Sequence, residues 1–173
     1  MKTAPILITS FQPWRAHQPT NSSDELIAEL YRQKQLSDDV VWLRQVPVSF
    51  QMAPIRVISE IYRVRPRLVI CCGMAENRTY LSLEQQAKGP HQVRTTAIDL
   101  SALLVGTSLT AISDNAGSYV CNHLYYSVLE FIDRTAIDTV SLFIHVPILR
   151  SGNRRAVIRD FLHIYSMLAA RIN

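Results

Sequence analysis

Hydrophobic positions along the chain switch repeatedly between the two-residue period of strands and the 3.6-residue period of helices. Residues 4–9 (APILIT) form a short apolar run, and the polar stretch Gln18 to Asp24 then offers several N-caps for a helix through Glu29 and Tyr31. Val40 to Val48 alternates and is rich in β-branched residues, after which Ile55, Ile58, Ile61 and Tyr62 recur at helical spacing up to Pro66. Arg67 to Cys72 (RLVICC) is continuously apolar and ends at Gly73, the pattern of a central strand covered on both faces. The segment from Lys88 to Thr96 (KGPHQVRTT) has no period and reads as a loop bordering a site, and Thr107 to Ser113 reads as a further strand. From Tyr119, the residues Val120, Leu124, Val128, Leu129 and Ile132 predict a helix, and Asp138 to Val146 predicts a second buried strand. Arg154 to Ile172 closes the chain as an amphipathic helix with Val157, Ile158, Phe161, Leu162, Tyr165 and Leu168 on one face.

Strands separated by helical segments require crossover connections. The predicted fold is therefore α/β, a three-layer α/β/α sandwich with a mainly parallel central sheet, built as a single domain over residues 1–173. Ligands in such sheets gather at the carboxyl ends of strands, which selects the turns after Thr9, Cys72, Ser113 and Ile144.

Composition narrows the function classes. A chain of 173 residues with 48% hydrophobic and 18% charged residues carries enough apolar surface for one core. The net charge of +4 raises nucleic acid as a partner, but the arginines are scattered, and the densest group, Arg150 to Arg159, flanks a helix start and solvates a surface. No nucleic-acid partner is expected. No apolar run approaches the roughly 20 residues needed to cross a bilayer, and the first residues lack the apolar core of a signal peptide. The expected location is cytoplasmic, with no membrane partner. Three cysteines, two of them adjacent at Cys71 and Cys72, suit neither a disulfide framework nor a metal site, so no metal and no cofactor is expected.

Three residue types suggest chemistry. Cys121 lies where a Gly-containing turn (SDNAGSYVCNH) enters a helix, and a helix N-terminus favours the nucleophilic thiolate. Alone, such a cysteine is more often a small buried hydrophobe. His145 ends the run SLFIHVP, where Pro147 stops regular pairing, and is equally readable as a base facing a cleft or as a structural residue. Glu84, after TYLSLE, is the right type to orient an imidazole, although spacing alone favours a solvated carboxylate.

Taken together in this order, the residues resemble the pyrrolidone carboxyl peptidases, or pyroglutamyl peptidases I, a family of cysteine peptidases. The likeness is carried by SDNAGSYVCNHLYYSVLEF followed by FIHVPIL, by the N-terminal ILITSFQPW, by VPVSFQMAPIRVI, and by RPRLVICCGMAENRTYLSLE. The resemblance implies Cys121 as nucleophile, His145 as base and Glu84 as the residue orienting the base. It implies that Phe11 and Trp14 line the pocket for the pyroglutamyl ring, and that Arg94 lies near the oxyanion. The implied partner is a peptide with a blocked N-terminus, and the implied reaction is release of its pyroglutamyl group through an acyl-enzyme.

The chain departs from the family pattern in three places. Ser10, Arg15 and Ala16 stand where the family has glycines, Met74 stands where bacterial members have Gln, and the segment between Glu84 and Cys121 is shorter. That segment normally carries a substrate-side loop and subunit contacts, so the family's homo-oligomer is left open. Two alternatives follow from the same departures: a cysteine amidase or peptidase of shifted specificity, and a catalytically silent relative that binds peptides in the same cleft.

Overall fold

The computed structural model describes residues 5–171. Ala4 and Ile172, the expected first residue of the first strand and last residue of the final helix, lie outside that range. The strands are β1 (Ile6–Phe11), β2 (Val40–Val46), β3 (Leu68–Met74), β4 (Leu81–Glu84), β5 (Gln86–Lys88), β6 (Val93–Thr95), β7 (Thr110–Ser113) and β8 (Val140–Val146). The helices are α1 (Ser22–Arg32), α2 (Met52–Val64), α3 (Leu100–Leu104), α4 (Val120–Thr135) and α5 (Arg154–Arg171).

Six strands form one sheet in the order β2-β1-β3-β8-β4-β7. The pairs β1/β2, β1/β3 and β3/β8 are parallel, as expected from the intervening helices. β4 runs antiparallel to β8, and β7 follows β4, so the sheet is mixed at that edge. The expected loop at Lys88 to Thr96 is instead mostly a hairpin, with β5 and β6 pairing from Gln86–Thr95 to Lys88–Val93. It has no hydrophobic period because it is a short ribbon packed on α4, where Asn122 accepts from Lys88 N and donates to Lys88 O, both at 2.8 Å.

Helices cover both faces, giving the three layers. One apolar cluster joins α1, α3 and α5 to Ile8, Ile70, Leu83 and Ile144, and a second joins α2 and α4 to Leu7, Val69, Cys71 and Phe143. The period-two alternation of the strands divides the side chains between the two clusters. Local signals start and stop the helices. Asn21 caps α1, accepting from Ser23 N at 3.1 Å, with Asp24 and Glu25 in the first turn complementing the dipole. α2 ends at Arg65, whose backbone is left-handed (φ 50°), immediately before Pro66. Its buried face is Ala53, Pro54, Val57 and Ile61, whereas Ile55 and Tyr62 are exposed. The large apolar residues predicted to point inward there are thus partly displaced by a smaller set one position away.

Candidate active site

The turns after β1, β3 and β8 meet at one sheet edge, as the strand-end rule requires, and enclose a cleft of about 330 Å³. Phe11, Trp14, Asn21, Met74, Arg78, Tyr119, Cys121 and His145 are among its walls. The turn after β7 reaches the cleft by another route. Because β7 runs opposite to β3 and β8, Ser113 points away from that edge, but the segment from Ala116 to Tyr119 returns to it and delivers α4.

Cys121 is the second residue of α4, whose N-cap Tyr119 has an extended backbone and no side-chain capping bond. The first amide N–H groups of a helix have no partners within it. Across from it, His145 lies at the end of β8 and is paired in register with Gly73 of β3. Adjacent register partners face the same side, so the imidazole and the bare side of Gly73 share one surface. A Cβ on Gly73 would stand 2.8 Å from Cys121 Sγ and 2.8 Å from the Phe143 ring, so only glycine lets the sulfur settle over the strand. The Phe143 ring also stacks against His145 at 4.8 Å.

Glu84 is fully buried, not solvated, and its Oε1 lies 2.7 Å from His145 Nδ1. It reaches the imidazole diagonally: Ser82 is the register partner of His145, and Glu84 that of Phe143. An Nδ1–H donated to this carboxylate leaves Nε2 as the free acceptor. Burial works to raise the Glu84 pKa, but the hydrogen bond and charge of His145 outweigh it, helped by Ser113 and Arg78, and the net shift is downward. Glu84 therefore stays ionised. The Cys121 thiol behaves differently. Burial pushes it up to about 12, the Glu84 charge adds to the rise, and the helix-start amide and Arg78 oppose it. Enclosure thus favours the neutral thiol, against the thiolate that the helix start alone suggests.

Two residues that composition and spacing did not mark as part of the site belong to it. Arg78 donates to Glu84 Oε1 at 2.5 Å and to the Asn115 carbonyl at 2.7 Å, while also facing the cleft. Ser82, opposite His145, is buried with no partner for its hydroxyl among the described residues. The available signal was the strand LSLE, which alternates apolar and polar as a half-exposed strand would and yet is buried on both faces.

The pocket residues divide. Trp14 stands at the rim, 43% exposed, with its ring 5.1 Å from that of Tyr119. Phe11 is both core and cleft wall, 2% exposed and packed in the α2/α4 cluster. Arg94 requires a correction, because it does not line the cleft. Its guanidinium pairs with Asp133 and, at 3.4 Å, with Glu130, and stands 5.4 Å from the Tyr126 ring centroid. Those partners hold it against α4, and Arg78 is the arginine that reaches the site. Among the described residues no group of three metal-ligating side chains occurs, and no helix is long and apolar enough to cross a membrane.

A helix-borne thiol sharing a cleft with a carboxylate-braced imidazole, on an α/β sandwich, is the construction of cysteine-type hydrolases. Comparison with known proteins narrows that class. The pyroglutamyl peptidase family profile matches residues 4–102 and 105–159, and the chain belongs to this family of cysteine-type exopeptidases. It is 30% identical to the pyrrolidone-carboxylate peptidase of Cupriavidus taiwanensis, covering 83% of this chain and 78% of that one. It is 27% identical to pyrrolidone-carboxylate peptidase 1 of Caldanaerobacter subterraneus, covering 83% and 82%. Its fold matches the crystal structure of pyroglutamyl peptidase I from Bacillus amyloliquefaciens with a TM-score of 0.84 over 98% of both chains, at 20% identity. The pyrrolidone carboxyl peptidase of Thermococcus litoralis matches with a TM-score of 0.78 over 94% and 92%.

Proposed function

We propose that this chain releases the N-terminal pyroglutamyl group of peptides through an acyl-enzyme on Cys121. The observation that carries this reading is the 2.7 Å contact between buried Glu84 and His145 Nδ1 in the cleft that Cys121 also lines. The flat lactam ring lies in the cleft against Phe11 and Trp14, and aromatic contact of this kind contributes on the order of 1 kcal/mol beyond burial. His145 Nε2 takes the thiol proton as sulfur attacks the carbonyl joining the pyroglutamyl group to the next residue. The neutral resting thiol makes this a general-base step, with proton transfer and attack coupled. Ionised Glu84 stabilises the imidazolium so formed, and Arg78 holds the same carboxylate oxygen, Oε1, that meets His145.

The uncapped N–H groups at the start of α4 stabilise the oxyanion; removing one such donor typically slows acyl transfer about 100-fold to 1000-fold. The imidazolium then protonates the leaving amine, and water, activated by the same imidazole, hydrolyses the thioester to pyroglutamate and free thiol. The chemistry as written is complete with these side chains.

The test is hydrolysis of a pyroglutamyl fluorogenic amide under reducing conditions beside Cys121→Ser. Turnover that disappears in the variant supports both reaction and nucleophile. A second reading is favoured by the raised thiol pKa: a cleft that binds blocked peptides without cleaving them. It is supported if the folded protein binds a pyroglutamyl peptide and leaves it intact. Turnover of another blocked amide in place of the pyroglutamyl one would instead mark shifted specificity, the outcome to which Met74 and the lost glycines point.

A further inference from the structure

The cleft holds about 330 Å³, near the lower end of the roughly 300–1,000 Å³ of small-molecule sites, and so accommodates one blocked residue. The peptide beyond the scissile bond must leave it. A second groove of about 600 Å³ neighbours the cleft, and Tyr119 is a wall of both. It runs along α4 past His123 and Tyr126, with Phe50 on one side and the tip of the β5/β6 hairpin on the other. This wall is anchored: Asn122 clamps Lys88, Gln92 donates to the Tyr126 hydroxyl at 3.1 Å, and Gly89 lies so near the Tyr126 ring that a Cβ there would stand 2.2 Å away.

The rings along this route form a chain. Trp14 lies 5.1 Å from Tyr119, Tyr119 5.4 Å from Phe50, and Phe50 5.4 Å from His123. Trp14, Phe50 and Tyr119 remain 43%, 43% and 46% exposed, so each still has an apolar face to offer. An extended peptide advances roughly 3.3–3.6 Å per residue, so two or three residues span the rings from Tyr119 to His123. Lys88 and Glu130 place opposite charges along the groove, so neither sign is selected.

We infer that this groove is a leaving-side subsite that selects peptides with an aromatic or large apolar residue directly after the pyroglutamyl group. The inference assumes the pyroglutamyl reading of the cleft. Its occupant is the substrate chain itself, because Tyr119 is a wall of both the cleft and the groove, and the groove's Tyr119 and Asn122 flank the start of α4 that carries Cys121.

The experiment compares pyroglutamyl-Phe-Ala with pyroglutamyl-Gly-Ala on the wild-type chain, Phe50→Ala and Phe50→Leu, following released pyroglutamate. The expected result is a kcat/KM about tenfold higher for the Phe peptide, expressed in KM, in line with the strength of aromatic contacts. Phe50→Ala brings the two peptides level. If that variant does not fold, Phe50→Leu serves in its place and reduces the preference severalfold. Equal efficiencies in the wild type, or a preference that survives substitution of Phe50, would overturn the inference. If neither peptide is cleaved, the pyroglutamyl reading has failed, and titration of both peptides against the wild-type protein decides the groove separately. Selective binding of the Phe peptide then supports it, and equal or absent binding overturns it.

Discussion

The central sheet is buried against an apolar cluster on each face, but β4 and β8 bring buried polar side chains to only one of them. Toward α1 and α5 the strands β3, β4 and β8 present Leu68, Ile70, Cys72, Leu81, Leu83, Leu142, Ile144 and Val146 to a continuous apolar cluster. Toward α4, β4 and β8 present Ser82, Glu84, Ser141 and His145, each no more than 5% exposed, beside the apolar Val69, Cys71 and Phe143. The Ser82 and Ser141 hydroxyls there have no partner among the described residues. Burying a polar group without a full set of hydrogen bonds typically costs about 1–3 kcal/mol. Such a cost on one face of an otherwise well-packed sheet marks the face used for chemistry. Both faces bury apolar clusters, but only the second also positions the imidazole and the thiol.

Five measurements test this contrast. Glu84→Gln removes the charge that favours the imidazolium, and kcat/KM for a pyroglutamyl amide is expected to fall by on the order of 1,000-fold, within the range of general acid–base contributions. A fall below tenfold would remove Glu84 from the mechanism. On the opposite face, Leu142→Ala is expected to cost about 2–5 kcal/mol in urea unfolding. Its activity per folded molecule should stay within about twofold, and a large loss would show that the two faces are not separable. Gly73→Ala pushes a methyl into Cys121 Sγ and Phe143, and kcat should drop on the order of 100-fold, since displacements near 1 Å at a reacting atom have that effect. Unchanged kcat would mean that the sulfur has room to spare.

The fourth measurement is the pH dependence of unfolding. The Glu84 pKa is lowered in the fold, so its contribution is present above the unfolded carboxylate value and is lost as pH falls through the folded one. Wild type should lose more stability on acidification than Glu84→Gln does, and parallel curves would contradict the burial and pairing of this carboxylate. The smallest effect is expected from Ser82→Ala, which removes a buried hydroxyl without a hydrogen-bond partner among the described residues. The unfolding midpoint should hold or rise slightly, and a loss above about 1 kcal/mol would reveal a bond to His145 or Glu84.

Much of the fold was legible locally. The apolar run of β3, the β8 run into His145, the N-cap set around Asn21 and the periodicity of α4 and α5 each appear where expected. Their signals are periods and caps that depend on neighbours a few residues apart. The strand-end rule likewise pointed to three of the turns that form the cleft. Failures fall where a distant neighbour decides. Glu84 reads as a surface carboxylate because LSLE alternates, and only the packing of α4 over that strand buries it. Arg94 lies at a suggestive offset from Glu84, but the hairpin carries it to Glu130 and Asp133, leaving Arg78 to meet the carboxylate. The thiol pKa also went the other way, since a helix start lowers it and enclosure raises it more.

Local patterns along the chain specify the succession of strands and helices, a mainly parallel sheet, and the placement of Cys121 at a helix start and His145 at a strand end. Each follows from local hydrophobic period and turn chemistry. Long-range packing sets the strand order, turns β4 antiparallel, carries Glu84 across 61 positions to His145, and gives the side-chain space of Gly73 to sulfur. The physical reason is that hydrophobic pattern reports which residues leave water, whereas the partner that satisfies a buried charge comes from elsewhere in the chain and is set by packing.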